Sequence, residues 1–432
     1  KVMITELDLN ILPSPENFSG AAIDQNFAYG EKLDPYAKGL PDSVASLTEK
    51  RYLELFDIYR RHSHQISRVQ PVGHQRRGFV AEQLAHTGTH QLSAPFRPDV
   101  PRETYYSPNN QFIQMKTARY LFPSDYMADP SARVFNGRLY IYPSHDWESG
   151  VPENDNGDHF NMRDYHCFSL EDPETGLAHD EGVILSVEDI PWAGRQLWDN
   201  DVVEKDGRYY LIFCLKDRHD IFRLGVATSD RPEGPFRPEA EPIKGSYSID
   251  PCVFKDDDGQ IYVYFGGLWG GQLQNYEGNT PLPRPYLPEN GETALQPRVA
   301  RMTDDVMQFA EAPRQIVILD EEGRPMTADN PYRFFEASWM HKYKGKYYFS
   351  YSTGDTHLLC YAVGDSPYGP FRWRGVLLEP VMGWTTHHSI CEYRGRWYLF
   401  HHDCVPSGGK TWLRSMKVKE ISYDEKGDIQ SE

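Results

Sequence analysis

Three acidic residues stand apart by their surroundings. They are Asp129 in Tyr126-Met127-Ala128-Asp129-Pro130, Asp250 in Ser248-Ile249-Asp250-Pro251, and Glu336 in Phe335-Glu336-Ala337-Ser338-Trp339. Glu336 sits among Phe334, Phe335 and Trp339. A carboxyl held between aromatic rings is poorly solvated as an anion, which is the setting of a general acid working near neutral pH. A second carboxylate that stays ionised could activate water, and inverting cleavage of a glycosidic bond uses such a pair, roughly 6.5–9.5 Å apart. A third carboxylate near the acid would tune it by like-charge repulsion. Taken alone, Glu336 also reads as a surface residue at the start of a strand.

Recurrence argues against that reading. A polar or acidic residue is followed seven to nine positions later by Gly and then by an aromatic strand. The unit appears as Asp129 with Gly137, Asp199 with Gly207, Asp250 with Gly259, Glu336 with Gly345, and His387/His388 with Gly395. A Gly turn between strand-prone runs is a hairpin signal. A second match supports the repeat: Gly225 to Phe236 parallels Tyr361 to Phe371, both ending in Gly-Pro-Phe. Strand-sized runs and Asp/Gly/Pro turns fill the chain from about residue 111, without long helical patterns. This predicts an all-β fold, a five-bladed β-propeller with blades of about 60 residues; a β-sandwich with chance similarity is the alternative. In a propeller the innermost strands start near the axis, so the five recurring positions converge on one mouth.

Composition narrows the partners. The chain has 432 residues and a net charge of −18, which argues against nucleic acid and anionic membranes. No apolar run reaches the roughly 18 residues a membrane span needs. Its 28 Tyr and 9 Trp suit twisted strands and sugar-stacking surfaces equally. Cys167, Cys214, Cys252, Cys360, Cys391 and Cys404 form no C-x-x-C pair and read as reduced core residues. The first residue is Lys1 and no signal peptide is visible, so the sequence reads as processed or incomplete; it does not fix a compartment, though cytoplasm or periplasm is favoured.

At the three acidic motifs the chain resembles glycoside hydrolase family 43. Tyr140-Ile141-Tyr142-Pro143-Ser144-His145-Asp146, the stretch from Pro191 to Asp199, and Gly383 to Ser389 are most similar to its bifunctional β-xylosidase/α-L-arabinofuranosidase branch. The resemblance runs from about residue 120 to the C-terminus. It implies a five-bladed propeller acting as an inverting exo-glycosidase, with Asp129 as base, Glu336 as acid and Asp250 as modulator. Substrates would be xylo-oligosaccharides or arabinoxylan fragments, and no cofactor would be required. Trp198 and Trp339 are candidate sugar-binding walls or core aromatics. Arg414, in Thr411-Trp412-Leu413-Arg414-Ser415, is a candidate for a sugar hydroxyl or for a carboxylate partner. Adjacent residues on a strand face opposite ways, so His387 and His388 cannot both line one site. By resemblance, His388 is the candidate neighbour of an axial calcium; a water-filled channel is the alternative, since calcium prefers oxygen ligands.

Residues 1–71 have a different character. Val2-Met3-Ile4-Thr5-Glu6-Leu7-Asp8, Gln25 to Tyr29, Gly39 to Ser43 and Ile66 to Val69 resemble the last part of a family 10 endo-xylanase barrel. Glu6 then stands at the nucleophile position. A barrel needs all its strands to close, so this α/β fragment, a partial TIM-barrel remnant, is expected to be catalytically silent. Residues 72–110 lack periodicity and are expected to form a disordered linker. One back-translation of residues 72–97, shifted by a base, gives a xylanase-like terminus, which reads as a frameshift. The propeller occupies 111–432. A non-catalytic sugar-binding propeller and a xylanase–xylosidase fusion are the competing functions; intact acids disfavour the first and the missing barrel strands the second.

Overall fold

The computed structural model describes residues 118–431, apart from 122–124, 177, 355 and 385. The segments 1–71 and 72–110, with Glu6 and the proposed frameshift, lie outside the described residues. The five-bladed β-propeller expected from the repeat is present. Blade I is Met127–Phe135, Arg138–Trp147, Asn161–Leu170 and His179–Ser186. Blade II is Asn200–Lys205, Arg208–Asp217, Phe222–Ser229 and Arg237–Pro238, with Ala193–Arg195 also on Arg208–Asp217. Blade III is Cys252–Lys255, Ile261–Phe265, Arg298–Arg301 and Arg314–Gln315. Blade IV is Phe334–Tyr343, Lys346–Thr353, Leu359–Gly364 and Phe371–Leu378, with Ile318–Leu319 added in parallel. Blade V is His388–Tyr393, Arg396–Asp403 and Ser415–Tyr423; its outer strand is Arg119–Tyr120, from the other end of the domain.

The repeated Gly is the turn between the two innermost strands of each blade. Gly137, Gly207, Gly259, Gly345 and Gly395 have φ between 75 and 82°, a conformation that strains any residue with a Cβ. Strands in the blade interiors are covered on both faces by neighbouring blades. Arg208–Asp217, for example, is buried from Tyr209 to Leu215 and again at Lys216. Such strands read as continuous apolar runs and lose the simple two-residue alternation. The apolar core follows the same geometry. Tyr142, Leu185, Leu211 and Phe213 pack between blades I and II, and Met127, Ile141, Phe400 and Met416 between blades I and V.

A polar knot ties the blades together near the axis. Asp201 of blade II accepts from Ser131 Oγ (2.5 Å), Arg133 Nε (2.8 Å) and the Val253 amide (2.7 Å). The Arg133 guanidinium lies 4.2 Å from the centre of the Trp339 ring, and Trp339 Nε1 donates to the Ile390 carbonyl at 3.1 Å. All five blades are thereby linked around two aromatic and charged side chains. Burying the Arg133–Asp201 pair costs desolvation, and the pair is tolerated because Asp201 is fully hydrogen-bonded.

Candidate active site

Two of the innermost strands are irregular at the residues of interest. The register of blade I shifts between Ala128 and Ser131, around Asp129, and that of blade IV shifts on both sides of Glu336. Asp129 (φ 49°), Asp250 (φ 58°) and Ala337 (φ 63°) adopt left-handed backbone conformations. Bulges re-aim side chains, and such strain collects at functional sites. Here they turn Asp129 and Glu336 into a cavity of about 800 Å³ at the mouth of the axis, which Trp198, Asp199, His387 and Arg414 also line.

His387 organises the acids. Its Nδ1 lies 2.7 Å from Asp199 Oδ1 and 3.5 Å from Asp129 Oδ1. Its Nε2 lies 3.1 Å from Glu336 Oε1 and 3.9 Å from Asp250 Oδ2. Burial opposes charge on the ring, but Asp199, Asp250 and Asp129 together raise its pKa well above the usual range, which favours the imidazolium.

Asp129 and Asp250 have opposite surroundings. Burial alone would raise the Asp129 pKa, yet Arg414, His387 and His402 pull it down to about 2. Arg414 Nη1 donates to Asp129 Oδ1 at 2.6 Å, while Asp129 Oδ2 is buried without a hydrogen-bond partner. Arg414 is itself gripped by Asp146, which accepts from its Nε (2.9 Å) and Nη2 (2.8 Å). For Asp250, burial raises the pKa well above normal; Asp199 and Glu336 raise it further, against the lowering effect of His387. Its Oδ2 accepts from the Ala337 amide at 2.8 Å, so it also pins the bulge beside Glu336.

The remaining sequence candidates separate. Trp198 lines the cavity and is locked by Nε1 donating to the Phe160 carbonyl at 3.1 Å. Gly157 (φ 69°) lies against that ring; a Cβ there would come within 2.6 Å of it. Trp339, also considered as a sugar-binding wall, does not line the cavity and belongs to the inter-blade knot. Arg414 pairs with carboxylates, one of the two roles considered for it. His388 turns away from the cavity, with Nε2 on Ser350 Oγ at 2.6 Å. It does line a second hollow of about 20 Å³ on the axis, beside Asn200, Asp250 and Ser338.

That hollow bears on the axial calcium. Asp250 Oδ1, both side-chain atoms of Asn200, Ser338 Oγ and His388 Nδ1 are buried there without partners. An oxygen-rich lining with unspent polar atoms fits a small hydrated cation, with His388 as a minority ligand; it fits ordered water as well.

Sequence reasoning did not assign His387, Asp199, Asp146 or His402 to the site. Asp199 and His387 did carry a signal, since both occupy the recurring blade position. Trp384, exposed at the cavity wall, lies within the Gly383 to Ser389 stretch that carried the resemblance, whereas Trp269, exposed there too, carried no signal.

Residues 126–429 match the model of glycosyl hydrolases family 43. The chain belongs to this family. Among curated proteins, it is 69% identical over 317 residues to a xylosidase/arabinosidase of Bacteroides ovatus, covering 73% of this chain and 98% of that protein. It is 67% identical over 315 residues to a beta-xylosidase of Xylanibacter ruminicola, covering 73% and 99%. Among solved structures it resembles a family 43 β-xylosidase/α-arabinofuranosidase from a compost metagenome, solved with xylotriose in a calcium-free form. That match has 56% identity and a TM-score of 0.71, over 74% of this chain and 97% of the other. A further 68-residue stretch, 16% of this chain, is 44% identical to part of an endo-1,4-beta-xylanase A of X. ruminicola, covering 18% of that enzyme. The family 43 chain described here is therefore a glycoside hydrolase.

Proposed function

We propose that this hydrolase is an inverting exo-glycosidase that releases terminal xylose, arabinofuranose or both from xylan-derived oligosaccharides. One observation carries the reading: Asp129 and Glu336 meet opposite nitrogens of the His387 ring. One ring plus those two contacts caps their separation within the roughly 6.5–9.5 Å range that inversion uses; the inverting outcome is drawn from the family and from the ionised Asp129, and the product anomer tests it. The free Oδ2 of ionised Asp129 takes a proton from water as the water attacks the anomeric carbon. Glu336 gives its proton to the departing glycosidic oxygen from the other side. Arg414 keeps Asp129 ionised, and Asp250 holds the backbone that presents Glu336.

Trp198 offers an apolar wall for a sugar face. A hydrated cation held by Asn200, Ser338 and His388 would supply positive charge beside the acids, while proton transfer stays with Asp129 and Glu336. The named xylosidase/arabinosidase relatives support the substrate class. The short xylanase-like stretch, which matches only 18% of that enzyme, is consistent with reading residues 1–71 as a partial barrel.

Proton NMR of the first product from a β-linked xylobiose tests the mechanism: α-xylose should appear before mutarotation. β-Xylose as the first anomer would overturn it. Parallel assays on nitrophenyl xyloside and arabinofuranoside would set the sugar preference.

A further inference from the structure

Blade I carries a second cluster of ionisable groups that the hydrolytic site does not use. His145 Nδ1 lies 2.5 Å from Asp164 Oδ1, and His166 Nε2 lies 3.8 Å from the same oxygen. These three ligand-type atoms fall within 4.8 Å of one another. The rings are edge to face, with centroids 5.0 Å apart. Each imidazole has its other nitrogen toward a separate carboxylate. His166 Nδ1 is 3.0 and 3.1 Å from the two oxygens of Asp180, and His145 Nε2 is 3.7 Å from Asp125 Oδ2.

Carboxylates behind both rings are what metal-binding histidines use to fix the tautomer and raise ligand basicity. A bound ion would take the place of the proton that His145 Nδ1 now shares with Asp164, the proton leaving to solvent, while Asp180 and, at longer range, Asp125 face the other ring nitrogens. We infer that His145, Asp164 and His166 form a binding site for one divalent transition-metal ion of the zinc class, separate from the axial hollow. Two imidazoles and one carboxylate with water in a fourth position is a common zinc donor set. Bonds of about 2.0–2.2 Å require the Asp164 oxygen to draw back from His145 by about 1 Å. Asp164 and His166 are 15 and 13% exposed at their side chains, which gives the ion an entry path.

The site has a structural consequence. His145 lies on Arg138–Trp147, and Asp164 and His166 lie on the next strand, Asn161–Leu170. The segment joining these strands supplies Glu153, Asn154, Gly157, His159 and Phe160 to the wall of the substrate cavity. An ion at the cluster would clamp the base of that segment.

The experiment uses the full chain stripped with EDTA and titrated with zinc chloride by calorimetry, with thermal melts alongside. One ion per chain should bind, and a hundredfold excess over Kd should raise Tm by about 5 °C. His166→Ala should abolish both effects while leaving metal-free hydrolysis of nitrophenyl xyloside within twofold. Asp180→Asn keeps all three ligands, tests the supporting carboxylate without removing a ring, and should weaken zinc about 10- to 100-fold. Absence of one-to-one binding would overturn the inference. So would binding unchanged in both variants, which would place the ion at the axial carboxylates instead.

Discussion

Asp129 and Asp250 occupy the same place in blades I and III. Each is followed by proline, each has a left-handed backbone and each is buried. Their electrostatic surroundings are nevertheless opposite. Arg414, His387 and His402 crowd Asp129 and hold it ionised, whereas burial with Asp199 and Glu336 nearby favours the protonated form of Asp250. The strand supplies position and the neighbouring blades supply charge state. A repeat can therefore produce a base and a proton-holding partner from the same local motif.

The largest effect should come from removing the residues that transfer protons. Asp129→Ala and Glu336→Ala should each lower kcat on xylobiose by about 10²–10⁴-fold with the circular dichroism spectrum unchanged. On a nitrophenyl glycoside, whose leaving group needs little protonation, Glu336→Ala should recover part of that loss and Asp129→Ala none. Full activity in either variant would remove the assignment.

The next test exchanges charge state without changing shape. Asn mimics a protonated Asp, so Asp129→Asn should be nearly as damaging as Asp129→Ala. Asp250→Asn should lose far less than Asp129→Asn, and less than Asp250→Ala, which leaves the Ala337 amide without its acceptor. Equal losses for the two Asn variants would show that Asp250 works as an anion.

Arg414→Ala should make Asp129 more like Asp250. Loss of a charged hydrogen bond of about 1.5–3 kcal/mol corresponds to roughly 10- to 100-fold in kcat/KM. The sign of the pH effect follows from burial. Without the guanidinium, desolvation raises the Asp129 pKa above about 2, so the acid limb of kcat/KM should move to higher pH. An acid limb that stays in place would show that His387 and His402 suffice.

The smallest effect is expected from deleting residues 1–110, which leaves both carboxylates and their neighbours in place. Hydrolysis of nitrophenyl xyloside should stay within about twofold. A folded but inactive product would show that the N-terminal segment takes part in the site.

The five-bladed fold was legible because its turns demand particular residues. Gly395 and its four counterparts stand where the backbone needs positive φ, and Tyr347-Tyr348-Phe349 and its counterparts are strand formers. The three acids were legible because each begins an innermost strand. Their partners were not, because contact between blades joins distant parts of the chain. Arg414 and Asp129 are 285 positions apart, and no local pattern says which carboxylate a lone arginine will reach. Trp339 shows a different obstacle. The irregularity between Glu336 and Trp339 breaks the alternation that would assign each side chain to a face, so an aromatic three residues from the acid lands in the core. His387 meets the acids and His388 reaches Ser350, yet both also border the small axial hollow, so the expectation that they could not share one site fails there; which one meets the acids depends on strand rotation, which the sequence does not encode locally.

The short strand Arg119–Tyr120 closes blade V by pairing with Ser415–Tyr423, and Tyr120 Oη donates to Asp403 at 2.7 Å. Both ends of the propeller thus meet on one sheet, with Arg119–Tyr120 as its outermost strand. A polypeptide attached ahead of residue 118 departs from the rim of the disc and not from its axis. The propeller can accordingly serve as a fusion partner, or be recut into a circular permutant joined across blade V, provided those two residues remain free to clasp the ring.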